Sequence, residues 1–106
     1  MKPPVGEWVE HHRPEEINTL PALPGVYMYK DAKGDVLYVG KAANLSARVH
    51  QYFTQSGDGR FNVRLLMRRV RRIETIITAN EKEAFLLENT LIKKHQPKFN
   101  ACLKDD

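Results

Sequence analysis

A strand–turn–strand pattern in the first half of the chain constrains the fold more than any other feature. Residues 25–30 and 36–39 are rich in β-branched and aromatic side chains, and a short polar segment separates them. Gly34 lies within that segment and can adopt a positive φ without steric cost, as tight hairpin turns require. The two runs are therefore predicted to form an antiparallel β-hairpin.

The hairpin sorts its side chains onto two faces, because successive residues of a strand point to opposite sides. Val26 and Met28 are predicted to share an aliphatic face. Tyr27, Tyr38 and Gly40 are predicted to share the other face. The simplest packing buries the aliphatic face and leaves these three residues on the remaining one.

Helical periodicity and capping residues account for most of the remaining chain. Asn44 can cap a helix, and Asn80 with Glu83 resembles a capping box. Helices are predicted over 44–53, 61–71 and 80–95, a third strand over 73–78, and an ordered loop or short strand over 98–106. The expected fold class is α+β, with a small three-stranded antiparallel sheet flanked by helices.

Length and composition bound the domain organisation. A chain of 106 residues is long enough for one domain. Residues 1–18 are polar and lack clear periodicity, so we expect an N-terminal extension with one short helical turn near 14–18, followed by the domain over 19–106. Cys102 is the single cysteine and no apolar run could span a bilayer, so a cytosolic location without membrane contact is expected.

Positive charge is concentrated in one region of the chain. The net charge is +4, and six arginines fall between residues 60 and 72. Such a cluster is either the solvated face of a helix or a surface that contacts phosphates. The candidate DNA-binding residues are Arg64, Arg68, Arg71, Lys93 and Lys94.

Glu88 breaks the hydrophobic pattern of the last predicted helix. On a helical wheel it falls within the apolar arc, and its neighbours three and four residues away are Ala84, Phe85, Leu91 and Ile92. A carboxylate there is costly to bury unless a positive group meets it. It is either a structural carboxylate at the domain edge or a metal ligand or catalytic group.

Two tripeptides and their spacing carry a family resemblance. Gly25-Val26-Tyr27 is followed, after ten intervening residues, by Tyr38-Val39-Gly40, and Arg48 comes ten residues beyond Tyr38. With Glu88 further on, this pattern resembles the signature of the GIY-YIG nucleases, with valine at the central position of both motifs. The resemblance implies the fold of that family, with Gly25 and Gly40 as structural motif residues.

The resemblance is most specific to the N-terminal nuclease domain of the UvrC family of bacterial excinucleases and extends from about residue 19 to the end. It includes the segments 20–27, 38–42, 83–84, 87–89 and 97–100. Ala43 and Ser46 depart from it, since many relatives carry basic residues there. The implied partners are damaged double-stranded DNA and the damage-recognition proteins, UvrB delivered in a UvrA-loaded complex. The implied activity is the 3′-side incision of nucleotide excision repair.

The same resemblance implies a catalytic mechanism. It assigns Glu88 as ligand of one divalent metal, Mg²⁺ or Mn²⁺, and Tyr38 as the group that takes a proton from the attacking water. Lys41 would favour the phenolate of Tyr38, and Arg48 would neutralise charge on the phosphoryl oxygens. Lys41 could instead be an ordinary surface lysine without a catalytic role.

Three further catalytic candidates also have structural alternatives. Tyr27 and Tyr52 are implied to orient water or phosphate, but they could instead serve hairpin packing and helix core, respectively. Asn100 is implied to hold local geometry, and it could equally be a residue that fixes a loop.

The sequence is also compatible with other functional classes. One alternative enzyme is a stand-alone excinuclease homologue or another structure-specific nuclease of the same superfamily. A non-catalytic DNA-binding module is a second alternative, although binding alone does not require Tyr38, Arg48 and Glu88 together. A domain that docks onto repair proteins is a third.

Overall fold

The computed structural model describes residues 10–54 and 61–102, and a four-stranded antiparallel sheet forms the centre of this part of the chain. The strands are β1 (Glu10–His12), β2 (Gly25–Lys30), β3 (Val36–Ala42) and β4 (Arg72–Ile77), in the order β1-β4-β2-β3. The predicted hairpin and third strand are confirmed as β2, β3 and β4. The short strand β1 is an addition that the sequence did not indicate.

The turn between β2 and β3 is closed by Asp31 and Gly34. The Asp31 carboxylate accepts hydrogen bonds from the backbone N–H groups of Lys33 (2.9 Å) and Asp35 (3.0 Å). Gly34 has φ of 89°, in the region that favours glycine. Local side-chain and backbone chemistry therefore fixes the hairpin, as predicted.

Helices cover both faces of the sheet. Asn44 precedes the first of them and its side chain accepts the N–H of Ala47 at 3.0 Å, while the side chain of Asn80 accepts that of Glu83 at 2.8 Å. Asn44 and Asn80 are thus confirmed as N-caps, and the Glu83 carboxylate accepts the N–H of Ala79 at 3.2 Å. The elements are a 3₁₀ helix (Pro14–Thr19), α1 (Leu45–Thr54), α2 (Phe61–Arg69), α3 (Glu81–His95) and α4 (Lys98–Cys102).

The segment after α3 is a short helix, so the predicted loop or strand over 98–106 was wrong for its described part, residues 98–102. Gln96 ends α3 in the left-handed conformation, with φ of 47°. Pro97 follows, and its fixed φ suits the start of a new helical turn, in which its carbonyl accepts the N–H of Asn100 at 3.2 Å.

Both faces of the sheet are buried, in contrast to the prediction of a single aliphatic core face. The aliphatic face, with Val26, Met28 and Val39, packs against Ala84 and Leu91 of α3. The aromatic face forms a second cluster with helices α1, α2 and α4. Its largest members are tyrosines of β2 and β3 that are almost completely buried: Tyr27, Tyr29 and Tyr38.

The described part of the predicted N-terminal extension is built into the fold. Strand β1 pairs with β4 along the edge of the sheet, and the predicted helical turn is confirmed as the 3₁₀ helix. Asn18 of this helix contacts α1 through its side-chain oxygen, 3.0 Å from Nε2 of His50, and Ile17 packs on the aromatic cluster. Within the described ranges, no helix is long and apolar enough to cross a membrane.

Candidate active site

A cleft of about 290 Å³ opens where the end of β3, the first turns of α1 and the middle of α3 meet. Five residues that the sequence predicted to act in catalysis or metal binding line it, together with the motif glycine of β3 and one phenylalanine. The lining residues are Tyr27, Tyr38, Gly40, Lys41, Arg48, Phe85 and Glu88. The fold therefore brings together side chains that are up to 61 positions apart.

Gly40 allows the phenol of Tyr27 to reach this cleft. The two residues face each other across the β2–β3 hairpin. A Cβ atom on residue 40 would overlap the Cζ and hydroxyl oxygen of Tyr27. The absence of a side chain at Gly40 is thus a steric requirement for the position of Tyr27.

Gly25, at the start of the same hairpin, is required by a close approach of backbone. A Cβ atom here would overlap the carbonyl oxygen of Ile76 in β4 and lie 2.8 Å from Cδ1 of Leu45 in α1. This contact sets how closely β2, β4 and the start of α1 pack. Both glycines predicted as structural motif residues therefore have a geometric reason.

Three tyrosines form one side of the site. The ring centroids of Tyr27, Tyr38 and Tyr52 lie 6.0–6.2 Å from one another. The hydroxyl of Tyr27 donates a long hydrogen bond of 3.5 Å to that of Tyr52. Tyr52 is not among the lining residues and supports the other two from behind. Burial, followed by the interactions with Tyr27 and Tyr38, raises the pKa of Tyr52 far above its usual range, so its phenol stays protonated.

Lys41 and Arg48 supply positive charge beside these tyrosines. Lys41 is exposed at the end of β3, and Arg48 is half-buried in the first turns of α1. The backbone of that turn is held in place, since the N–H of Arg48 bonds the carbonyl of Asn44 at 3.0 Å. Both cations also line a neighbouring depression of about 280 Å³ at the start of α1. They are therefore placed to contact more than one anionic group.

Glu88 reaches the cleft from α3, where its neighbours one turn away, Ala84 and Leu91, are buried against the sheet. Glu88 is half-buried and lines the cleft together with Lys41 and Arg48. The apolar neighbours noted in the sequence thus fix the helix on the sheet and hold this carboxylate at the cleft.

Phe85 was not singled out from the sequence as a site residue. Its place at the border of the apolar arc of α3 indicated a core position, but its side chain is 48% exposed and lines the cleft. The helix packs on the sheet through Ala84 and Leu91, which leaves position 85 turned towards the opening. The only signal available in the sequence was its spacing of three residues from Glu88.

Asn100 does not line the cleft and acts on the strand beneath it. Its side-chain amide accepts the N–H of Val39 at 2.8 Å and donates to the carbonyl of Val39 at 2.9 Å. Because β3 is at the edge of the sheet, this amide supplies the bonds that a further strand would make. Asn100 thereby fixes the backbone between Tyr38 and Gly40.

The predicted DNA-binding cations lie elsewhere on the surface. Arg64 and Arg68 are exposed on α2 and line a separate depression of about 170 Å³ with Phe61 and Leu65. Arg71 donates from its guanidinium to the carbonyls of Arg68 (2.8 Å) and Val70 (3.1 Å), and so caps the end of α2. The remaining two cations, both exposed in the last turn of α3, are Lys93 and Lys94. None of the five lines the cleft.

The donor set of the cleft suits one hard cation held by a single carboxylate. Among the described residues, no group of three or more His, Cys, Asp or Glu side chains could hold a metal ion. Glu88 is the acidic residue among those that line the cleft. Mg²⁺ is commonly held by one or two carboxylates, with water and substrate phosphate completing its shell, so this arrangement fits such an ion.

Comparisons with known proteins agree with the geometry. The sequence profile of the UvrC-like GIY-YIG domain matches residues 23–101. The UvrABC system protein C of Protochlamydia amoebophila is 55% identical over 93 residues, which is 88% of this chain. That of Trichlorobacter lovleyi is 59% identical over 92 residues, or 87% of this chain. The chain spans about 15% of the length of these two relatives.

The most informative solved structure is the GIY-YIG N-terminal endonuclease domain of UvrC from Thermotoga maritima, bound to its catalytic divalent cation, magnesium. It superposes with a TM-score of 0.72 at 40% identity, over 80% of this chain and 91% of the other. Further structures of that domain carry one asparagine-to-alanine or one tyrosine-to-phenylalanine change and still hold the cation. From its sequence profile, its relatives and its architecture, this chain belongs to the family of UvrC-like GIY-YIG endonuclease domains.

Proposed function

We propose that this domain hydrolyses a phosphodiester bond of DNA with one divalent metal and makes the 3′-side incision of nucleotide excision repair. The observation that carries the proposal is the convergence of two tyrosines, two cations and one carboxylate in a single cleft. A surface that only binds DNA needs positive charge but no carboxylate among its cations. The catalytic cation of the Thermotoga maritima domain supports a metal-dependent reaction here.

Glu88 is proposed to hold the metal, which is Mg²⁺ or Mn²⁺. When bound, the ion supplies Lewis-acid stabilisation of charge on the phosphate and on the leaving oxygen. The carboxylate itself is anchored by the packing of α3 on the sheet, which fixes its distance from Tyr38 and Arg48. A rigid first ligand is what a site with a single protein carboxylate requires.

Tyr38 is proposed to accept a proton from the attacking water at its phenolic oxygen. An unperturbed tyrosine has a pKa near 10, so this role requires a neighbouring positive charge that favours the phenolate. Lys41, three residues further along the chain and in the same cleft, supplies such a charge. Arg48 presents a planar set of donors that suits the equatorial oxygens of the phosphate.

The remaining candidates support these groups. Tyr27 orients water or phosphate from its place over Gly40, and Tyr52 is a permanently protonated hydrogen-bonding partner behind it. Asn100 acts through Val39, by holding β3 in the position that presents Tyr38.

Contacts outside the cleft would determine where DNA lies. We propose that Arg64, Arg68, Arg71, Lys93 and Lys94 contact its phosphates, which gives salt-dependent affinity with little sequence preference. We also propose that the whole protein works on damaged DNA with UvrA and UvrB in the cytoplasm. The relatives named UvrABC system protein C support its place in such a system. Targeting to a lesion would then come from those partners.

The test is nicking of supercoiled plasmid at low salt with Mg²⁺ or Mn²⁺. We expect nicking by the unmodified chain and none by Glu88→Ala, since the variant loses the metal ligand. Glu81→Ala is the matched control, because Glu81 is an exposed carboxylate in the first turn of the same helix. Normal nicking by Glu88→Ala would remove Glu88 from the mechanism. Intact DNA binding without nicking by any form would support the non-catalytic alternative.

A further inference from the structure

Phe85 is an exposed aromatic ring inside an otherwise polar cleft. Its side chain is 48% exposed, and it belongs to neither of the two buried hydrophobic clusters. The other side chains of the lining are two tyrosines, Lys41, Arg48 and Glu88. Water contacts this ring in the free protein, and the ring contributes little to the core. A ligand that covers it therefore lowers the free energy of the complex.

The spacing along α3 places this ring beside the proposed metal ligand. Phe85 and Glu88 are three residues apart on one helix, which separates their Cβ atoms by about 5–6 Å. A phosphodiester bound in this cleft beside Arg48 has a deoxyribose on each side. The apolar part of the substrate that comes nearest to the ring of Phe85 is therefore one of these two sugars.

We propose that Phe85 is a positioning residue that packs against the deoxyribose next to the scissile phosphate. The inference rests on the proposed function, because it names a contact between this cleft and DNA. A sugar is favoured over a base because bases stay stacked in a duplex. Extruding a base costs more free energy than contact with a half-exposed ring provides. Contact with the ring fixes the rotation of the strand about the scissile phosphate.

The first test measures cutting of a short DNA duplex, with each cut position resolved on a sequencing gel. We expect Phe85→Ala to raise the half-saturating DNA concentration about tenfold, as loss of half the burial of a phenylalanine predicts. The maximal rate should fall less, and Phe85→Leu should recover most of the affinity. Leu86→Ala is the matched control, because Leu86 is 55% exposed on the same helix but does not line the cleft.

A second measurement distinguishes the apolar contact from a charge effect. The logarithm of affinity falls linearly with the logarithm of salt concentration, with a slope set by the number of phosphates that the protein neutralises. Phe85→Ala should lower affinity and leave this slope unchanged. Lys41→Ala should reduce the slope by about one. A changed slope in Phe85→Ala, or an unchanged affinity, contradicts the proposal.

An abasic site identifies the group that Phe85 contacts. The duplex carries one nucleotide that keeps its deoxyribose but lacks its base, and cuts are compared at the two flanking bonds. If the sugar is the partner, the tenfold effect of Phe85→Ala persists at these bonds. If the effect vanishes there, the partner is a base and the proposal is wrong.

Failure of this inference can be told apart from failure of the proposed function. If the unmodified chain cuts and Phe85→Ala cuts equally well at every DNA concentration, only the role of Phe85 is refuted. If the unmodified chain shows no metal-dependent cutting, the proposed function fails. The role of Phe85 is then decided by DNA affinity, measured by fluorescence anisotropy with Ca²⁺ in place of Mg²⁺, in which equal affinities refute it.

Discussion

The phenol of Tyr27 occupies the space that a side chain on Gly40 would need, and the two residues are direct partners across the β2–β3 hairpin. Gly40→Ala is therefore expected to destabilise the fold by about 1–3 kcal/mol, the usual cost of overpacking, and to abolish nicking. Thermal unfolding and the plasmid assay measure the two effects. Combining Gly40→Ala with Tyr27→Leu should recover stability without activity. If Gly40→Ala lost neither stability nor nicking, the side chain of Tyr27 would have an alternative position.

The amide of Asn100 completes the backbone hydrogen bonding of Val39. Asn100→Ala leaves the N–H and carbonyl of Val39 without these partners, at a cost of about 1–3 kcal/mol. We expect a lower unfolding temperature and slower nicking, with metal affinity unchanged, because Glu88 lies on another element. Asn89→Ala, at an exposed position of α3, is the control. A variant that unfolds normally and yet loses metal binding would contradict this role.

Arg48 is expected to act through the geometry of its guanidinium as well as its charge. Arg48→Lys keeps the charge but loses the planar donor set, so the rate of nicking should fall about 100-fold, as for the loss of one aligned donor to a transition state. Arg72→Lys, at an exposed position of β4, should cut normally. Near-normal cutting by Arg48→Lys would show that a point charge is sufficient.

Tyr52 is expected to remain a neutral phenol at every pH at which the protein is folded, since burial raises its pKa far above its usual range. The proposed proton acceptor is Tyr38, so Tyr52 is not expected to set the pH dependence of the rate. Tyr52→Phe should lower the rate by a similar factor at each pH and leave the midpoint of the pH–rate profile in place. Loss of the pH dependence in Tyr52→Phe would identify Tyr52 as the titrating base.

His95 is expected to make stability depend on pH near neutrality. Burial, and then the positive charges of Lys94 and Lys30, lower the pKa of His95, with partial compensation by Glu74. A base with a lowered folded pKa binds protons more readily when unfolded, so its contribution to stability is complete above about pH 6.5 and is lost as the pH falls through the folded pKa. The unfolding temperature of His95→Gln should therefore decline less between pH 7 and pH 5 than that of the unmodified chain. Parallel declines would exclude His95 as the cause.

The predictable parts of the fold are those that local chemistry determines. The turn residue Gly34 and the caps Asn44 and Asn80 act within four residues of themselves, and all three appear as predicted. The strand β1 has three residues, too few to show alternation, and its partner β4 lies more than sixty residues away. The helix α4 depends on Pro97 and on packing against β3, neither of which produces a hydrophobic period.

The candidate site likewise combines features that the sequence indicates with features that depend on long-range packing. The family resemblance carried by the two motifs implied that Tyr38, Arg48 and Glu88 share one site, and all three line one cleft. Alternation within β2 and β3 could not show that both faces are covered, since that depends on which helices pack against each face. The exposure of Phe85 was unpredictable for a similar reason. A helical wheel gives the direction of each side chain on α3, but it does not show where the sheet beneath the helix ends.

Strand β1, an edge strand of only three residues, is expected to limit pairing of the sheet with other chains. It comes from residues that precede the family-matched region, 23–101, and it pairs with β4 along one edge. A domain shortened to begin at residue 19 would keep the whole lining of the cleft but leave the backbone N–H and carbonyl groups of β4 open along that edge. Unpaired strand edges are templates for intermolecular pairing. The shortened domain is thus expected to self-associate at high concentration, so residues 10–12 should be retained in any version intended for crystallisation or solution NMR.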